Sequence, residues 1–297
     1  MPKKIAVAIN PAASFGRGRN AGHQAVGLLR AAGLDVVVLE ADDYDALRRA
    51  VDVTLAAGVE ALVVVGGDGM VHLGVNALAG LDLPLGIVPA GTGNDVARLL
   101  ALPLNDTGAA CRGLLAALET GGRRIDVGRV AAGGETTYFA GVLSAGFDAA
   151  VNERANAWRW PRGKIRYNLA MLRELVSFRR ITYTVTADCV TWRQPALLIS
   201  VANGQSIGGG MQITPDAVPD DGWLDMFVVK PLSRLSFLAV FPKVFAGKHT
   251  NHPAVEIKRV RKVQLDAEGV VAYADGERIA ELPVVVDLVP AGLWVLA

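Results

Sequence analysis

Four short segments carry residue types and spacings able to do chemistry. Gly66-Gly67-Asp68-Gly69-Met70 follows the apolar run Ala61–Val65, and Pro89-Ala90-Gly91-Thr92-Gly93-Asn94-Asp95 follows Leu85–Val88. Asn10-Pro11-Ala12-Ala13-Ser14-Phe15-Gly16-Arg17-Gly18 follows Ile5–Ile9. A strand needs no glycine to end, so small residues at three strand ends point to a backbone that something approaches closely. Each segment also leads into helix spacing, which adds free N–H groups and a positive helix end; together they make a cradle for a polyphosphate. Read singly, Gly66–Met70 is also a plain tight strand-to-helix turn. Neither the P-loop pattern nor the dinucleotide pattern G-x-G-x-x-G is present. The fourth segment is Asp275-Gly276-Glu277, between the alternating stretches Ala272–Ala274 and Ile279–Leu282. A carboxylate projected there can take a proton from a hydroxyl, although Asp-Gly is equally the commonest hairpin turn.

The elements that must position these residues fall into two textures. Up to Ile125, apolar strands (Ile5–Ile9, Val36–Leu39, Ala61–Val65, Leu85–Val88) alternate with helical stretches (Asn20–Ala32, Tyr44–Ala57, Val71–Ala79, Gly93–Leu100, Thr107–Leu118). Solid apolar strands between helices predict a parallel sheet covered on both faces. In such a sheet the three small-residue loops line up at the carboxyl ends of the strands, where ligands bind. Beyond Ile125 the chain turns to short alternating segments: Val127–Ala131, Thr137–Val142, Thr182–Ala187, Ala196–Ala202, Trp223–Val229, Val255–Arg261 and Val263–Ala267. That is antiparallel texture, interrupted by helices at Tyr167–Phe178 and Ser233–Phe245. The boundary falls near Asp126, giving a first domain over 1–126 and a second over 127–284, with the closing strand, about 285–297, returning to the first.

The 297 residues are 52% hydrophobic and 20% charged with a net charge of +1, which describes a globular chain and gives no global argument for nucleic acid. No apolar run reaches the roughly 18–20 residues of a membrane span. Ile5–Ile9 is too short for a secretory signal core, so a cytoplasmic protein is expected. Cys111 and Cys189 form no metal or redox motif, and the four histidines do not cluster at ligand spacing. One segment is strongly basic: residues 154–180 hold Arg154, Arg159, Arg162, Lys164, Arg166, Arg173, Arg179 and Arg180 against Glu174, interleaved with Trp158, Trp160 and Tyr167. Such a segment suits an anionic membrane surface, although a solvated basic face over packed tryptophans reads from the same residues. No recognition-helix or stacking pattern for nucleic acid accompanies it.

Taken in order, these motifs resemble the diacylglycerol kinase and sphingosine kinase family. The resemblance runs from Asn10-Pro11 through Gly66–Gly69 and Leu85–Arg98 to Ile125–Gly128, Phe139–Gly141 and Ser144–Asp148. It continues through Asn203-Gly204, Gly208–Gly210, Pro215–Ala217, Asp221-Gly222 and Asp275–Glu277 to Pro290–Leu293, nearly the whole chain. It implies an α/β nucleotide-binding domain followed by a mainly antiparallel β-sandwich domain, with the active site in the cleft between them. The implied reaction is transfer of the ATP γ-phosphate to a lipid hydroxyl, with Mg²⁺, by an enzyme peripherally associated with the inner membrane face. Diacylglycerol, phosphatidylglycerol and sphingoid bases all present a suitable hydroxyl. A homodimer is compatible with the sequence, which carries no direct mark of one.

The same resemblance distributes the roles. Glu277 is the proton acceptor, and Asp68 lies nearest the phosphates and Mg²⁺. ATP contacts come from Asn10, Pro11, Ala12, Ala13, Ser14, Glu40, Gly66, Gly67, Asp68, Gly69, Met70, Gly91, Thr92, Gly93 and Asn94. Asp68, Asp95 and Asp126 join Glu277 in a polar network with Arg17 or Arg19; read alone, Asp95 is an ordinary first-turn carboxylate and Asp126 a strand-end cap. A structural Mg²⁺ is implied at the Asp221 side chain and the carbonyls of Val218 and Trp223, where a simple type I turn over Pro219–Gly222 reads equally well.

The chain departs from the family pattern in three places. Met70 and Leu73 stand where threonine and glutamate are usual, and a threonine expected near the second strand's end is Glu40 or Ala41. A lost hydroxyl removes one hydrogen bond worth about 0.5–1.5 kcal/mol, so Met70→Thr is expected to tighten ATP with little effect on stability. Two rivals follow: an NAD kinase, whose Asn-Glu-x-Asp segment is not found here, and a non-catalytic lipid- or nucleotide-binding relative.

Overall fold

The computed structural model describes residues 2–10, 17–41, 43–146 and 180–297. The helix expected at Tyr167–Phe178, all of the basic segment except Arg180, and Pro11, Ala12, Ala13 and Ser14 lie outside the described residues. The chain divides into one unit of Met1–Asp126 with Pro290–Ala297 and a second of Val127–Val289.

In the first unit the strands are β1 (Lys4–Ile9), β2 (Asp35–Glu40), β3 (Ala61–Gly66) and β4 (Leu85–Pro89), ordered β2-β1-β3-β4 and all parallel. Every residue of β3 and β4 is buried, as expected of strands covered on both faces. Ile5, Val7, Ile9, Val63, Val65 and Val88 form one core with Ala25, Val26 and Leu29 of α1 (Arg17–Ala31) and with Ala110, Cys111, Leu114 and Ala117 of α5 (Thr107–Thr120). Burial pushes the Cys111 thiol up to about 11, so it serves as a small apolar filler. On β1 and β3 respectively rest α2 (Tyr44–Ala56), capped by Asp43, and α3 (Asp68–Leu78). Leu296 closes the unit, its N–H donating to the Leu85 carbonyl while Val295 lies parallel to Leu85.

The structure moves two predicted boundaries here. α3 starts at Asp68, three residues before the expected Val71, because Gly67 caps it in extended backbone and a carboxylate in the first turn suits the positive helix end. α4 is short, Asp95–Leu99 rather than Gly93–Leu100, because Asn94 is in the left-handed region at φ 56°.

The second unit is a β-sandwich. Its strands are β5 (Arg123–Ala132, which begins in the first unit), β6 (Glu135–Phe139), β7 (Val142–Gly146), β8 (Ile181–Ala187), β9 (Val190–Ala196) and β10 (Leu198–Ala202). They continue with β11 (Ser206–Ile207), β12 (Met211–Gln212), β13 (Leu224–Val229), β14 (Val255–Val260), β15 (Lys262–Asp266), β16 (Val271–Ala274), β17 (Glu277–Glu281) and β18 (Val284–Val295). One antiparallel sheet runs β14-β13-β10-β7-β16-β17; the other carries the start of β18, then β15, β8 and β9. Leu143, Ile199, Val201, Met226 and Ala272 from the first meet Tyr183, Val185, Val263, Leu265 and Val286 from the second in one core.

Two expected strands are each split. Thr137–Val142 is interrupted at Ala140-Gly141, and Ala196–Ala202 breaks at Leu197, whose N–H donates to Val229 instead of continuing β9. β9 itself, with Pro195 inside it, is the last strand of its sheet, the position where a residue without an N–H is tolerated. The helix expected at Ser233–Phe245 is α6, Arg234–Val244, capped by the Ser233 side chain.

Candidate active site

The two glycine loops of the first unit are locked together. Asp68, the first residue of α3, accepts the N–H of Asn94 on Oδ2 and that of Asp95 on Oδ1, both at 2.8 Å. Ala90 N–H donates to the Gly66 carbonyl at 2.8 Å, which holds the loops edge to edge. Asn94, only 5% exposed, closes its own turn: Oδ1 accepts from Gly91 N–H at 3.1 Å and Nδ2 donates to the Gly91 carbonyl at 2.9 Å. A Cβ on Gly91 would overlap the Gly67 Cα, and one on Gly93 would overlap the Asp68 carboxylate. The glycines are therefore required by close backbone approach, as their clustering suggested. Thr92 and Gly93 form the exposed and half-buried crest of this clasp.

Met70 is only 3% exposed, and its side chain lies where a Cβ on Gly66 would go. This corrects the expectation that Met70→Thr would leave stability untouched, because the side chain is packed and shortening it leaves a void. The departure of Met70 from threonine is thus a packing choice beneath the loop. Leu73 is buried at 2%, and His72 between them at 8%.

Asp126, 3% exposed, accepts the Ala291 N–H at 2.7 Å, where Ala291 is left-handed at φ 49°. Arg19 Nε lies 3.7 Å from Glu40 Oε1 at the surface, an ion pair of small energetic weight. Arg17 is the first residue of α1, and Asn10 ends the described part of the first loop.

In the second unit Asp275 and Gly276 form a two-residue turn with φ of 49° and 89°, the type I′ geometry of tight hairpins, between β16 and β17. The hairpin reading of this motif is realised. The turn carries Glu277 exposed at the start of β17. Asp275 accepts three backbone N–H groups: Ala140 at 2.9 Å, Gly141 at 3.0 Å and Val142 at 3.0 Å. From the other side Asn203 Nδ2 donates to the Ala140 carbonyl at 3.1 Å, and the N–H groups of Asn203 and Gly204 donate to Gly141. This double grip is what splits the expected strand Thr137–Val142. Asp275 and Asn203 are functional-site candidates as positioning residues; among the motifs, only their place beside glycine marked them.

At the implied metal position, Asp221 Oδ1 accepts the Trp223 N–H at 3.1 Å, and Oδ2 lies 3.1 Å from the Arg259 guanidinium. Arg259 sits opposite Asp225 on the neighbouring strand. Burial pushes the Asp225 carboxyl up, with Arg259 pulling it down and Asp221 and Asp216 raising it. Val218 is exposed, and the Arg261 guanidinium covers the Trp223 ring at 4.3 Å. Asp221 is already paired with a guanidinium, and a carboxylate so neutralised is a poor fit to a resident divalent ion. Among the described residues no group of three or more His, Cys, Asp or Glu side chains could hold one.

The diacylglycerol kinase catalytic domain family matches residues 4–130, and the family of the YegS C-terminal NAD kinase beta sandwich-like domain matches residues 141–297. A diacylglycerol kinase of Mycobacterium tuberculosis is 37% identical over 295 residues, 99% of this chain and 94% of that one. The chain belongs to the diacylglycerol kinase family of lipid kinases. A more distant member, the diacylglycerol kinase of Bacillus subtilis, is 27% identical over 75% of this chain and 72% of its own. A crystal structure from Bacillus anthracis strain Sterne superposes with a TM-score of 0.80 over 99% of this chain and 94% of that one. At 24% identity it speaks for the fold alone. The family fold, an α/β domain and a β-sandwich, is the one described above.

Proposed function

We propose that this lipid kinase transfers the γ-phosphate of ATP to the hydroxyl of diacylglycerol, forming phosphatidic acid. The observation that carries the reading is the full-length similarity to a protein named diacylglycerol kinase. The geometry agrees with it. In the first unit, the N–H groups at the start of α3 and those of Thr92 and Gly93 hold the phosphates, and Asn10, Pro11, Ala12, Ala13 and Ser14 supply further ATP contacts. Asp68 then acts by fixing the second loop on the first, since both its oxygens accept backbone N–H groups of that loop. Gly91, Thr92, Gly93 and Asn94 supply the cradle surface.

The second unit takes the lipid, and Glu277 receives the proton. The hydroxyl oxygen bonds to the γ-phosphorus, the bond from that phosphorus to the bridging oxygen breaks to release ADP, and the hydroxyl proton passes to the Glu277 carboxylate. Mg²⁺ enters with ATP as part of the substrate. A lipid with its tails in a bilayer places the enzyme at a membrane surface, on the cytoplasmic side where ATP is available. Among the described residues no helix is long and apolar enough to cross a membrane.

The test is radiolabelled ATP with mixed micelles of diacylglycerol, phosphatidylglycerol or a sphingoid base, with products separated by chromatography. Labelled phosphatidic acid is expected. Label in another lipid would reassign the substrate, NADP formed from NAD would favour the nicotinamide-dinucleotide kinase, and no labelled product from any acceptor would favour a binding protein.

A further inference from the structure

Among the described helices, α6 alone buries none of its residues, although it is largely apolar. Leu235 is 80% exposed, Leu238 48% and Phe245, just past its end, 54%. With the exposed Pro242 these positions are spaced three, four and three apart, which places them along one helical stripe. Beside that stripe the rings of Phe237, Phe241 and Phe245 form a ladder, with centroids 5.6 Å and 5.8 Å apart. Val244 and the preceding Leu232 pack against the core of Val142, Leu198, Phe227 and Val229, so the element is fastened at both ends while its stripe is left uncovered. The other large exposed apolar side chains among the described residues, such as Val53, Leu81 and Val190, lie singly along the chain, and scattered exposure of that kind is ordinary.

The rim of the stripe is cationic. Lys243 and Lys248 are exposed, and no Asp or Glu occurs between Lys230 and Val255. Lys230 is paired with Glu256 and is not counted with them. A second copy of this chain would set one cationic rim against another, with no acid between. The complementary surface is apolar inside and negative at its edge, which is an anionic bilayer interface. An eleven-residue helix is about 16 Å long, half a bilayer core, so it can lie in that interface and cannot cross it.

We infer that α6 is a membrane-docking helix that lays Leu235, Leu238 and Phe245 into the headgroup region of anionic membranes. The inference rests on the lipid-kinase reading for its reason to visit a membrane, and on the exposed stripe and its cationic rim for its location.

The test uses the full chain with Cys189→Ser, which leaves only the buried Cys111. Leu235→Cys is labelled with an environment-sensitive fluorophore, and Val53→Cys, 71% exposed on α2, is the control. With vesicles of phosphatidylglycerol and phosphatidylcholine, the probe at 235 should shift to the blue and be quenched by acyl-brominated lipid, while the probe at 53 stays unchanged. Pure phosphatidylcholine or high salt should weaken the effect. Leu235→Ser with Leu238→Ser, both at exposed positions, should lower vesicle affinity roughly tenfold. A silent probe at 235 on vesicles that retain the protein would overturn the inference, as would no retention at all. A blue shift without vesicles, together with a doubled mass by light scattering, would assign the stripe to a second copy instead. Phosphorylation of a short-chain, monomeric diacylglycerol separates the two readings. If docking alone is wrong this turnover survives in every variant, and if the kinase reading is wrong it is absent throughout while the probe still reports insertion.

Discussion

Each unit contains a turn pinned by a carboxylate from far along the chain, and the two clasps are built oppositely. Asp68 sits in regular helix and grips a loop whose own Asn94 is left-handed. Asp275 is itself left-handed, in a hairpin turn, and grips three N–H groups of the Ala140–Val142 bend. The first clasp orders the groups that would hold phosphate; the second orders the turn that presents Glu277. A loop that binds through its own backbone must have that backbone fixed directly. A loop that presents one side chain can be fixed through its neighbour, leaving the presented group exposed.

The largest expected effect separates presentation from pinning. Glu277→Gln should lower lipid phosphorylation by roughly 10²–10⁴-fold, the usual contribution of a general base, with an unchanged denaturation midpoint because the side chain is exposed. Asp275→Ala should lose both activity and stability. Three N–H groups lose their acceptor, and a cost of roughly 2–4 kcal/mol is expected after water replaces part of it. If Asp275→Ala unfolds no more easily than the parent, the comparison of the clasps fails.

Gly91→Ala tests the first clasp in the same way. The added methyl meets backbone, which cannot turn aside, so a loss of about 1–3 kcal/mol and a raised ATP Michaelis constant are expected. Gly67→Ala, whose Cβ would stand 3.0 Å from the Gly91 Cα, should cost less in the same urea titration. Met70→Thr shortens a buried side chain and should destabilise by about 1–2 kcal/mol, whatever it does for ATP.

The smallest effect is a pH dependence confined to the second unit. His249 is buried, its Nε2 3.1 Å from the Ile213 carbonyl and its ring against Phe227, and burial lowers its pKa from the ordinary 6.5. The unfolded chain therefore binds this proton more readily than the folded one. The stability it contributes is complete above 6.5 and is lost as the pH falls through the lowered value. His249→Gln should flatten the urea midpoint between neutral pH and about one unit below 6.5.

Much of the first unit was legible because its chemistry is local. A solid apolar strand, a small-residue loop and a helix start follow one another within about ten residues, so the strands, helices and glycine loops could be placed from sequence. The errors there were at edges, where Gly67 rather than Val71 opened a helix and where a left-handed Asn94 shortened another. In the second unit the decisive contacts join residues well separated along the chain, 135 apart for Asp275 and Ala140 and 63 apart for Asn203 and Ala140. Nothing near Thr137–Val142 announces that Asp275 and Asn203 will take its N–H and carbonyl groups and split the strand. The pairing of Arg259 with Asp221 was hidden for the same reason, since one lies on β14 and the other in the turn before β13. Exposed apolar stripes were also invisible, because helix spacing in α6 looks the same whether or not a neighbour covers it.

The discontinuity of the first unit has a consequence for how the chain is made. Its sheet is completed by Val295 and Leu296, while everything from Val127 to Val289 is synthesised in between. During translation the sheet of the first unit keeps an open flank beside Leu85 until Val295 and Leu296 have been made. Asp126 likewise waits for the N–H of Ala291. A chain that stops before Val295 therefore carries an unfinished sheet edge beside Leu85.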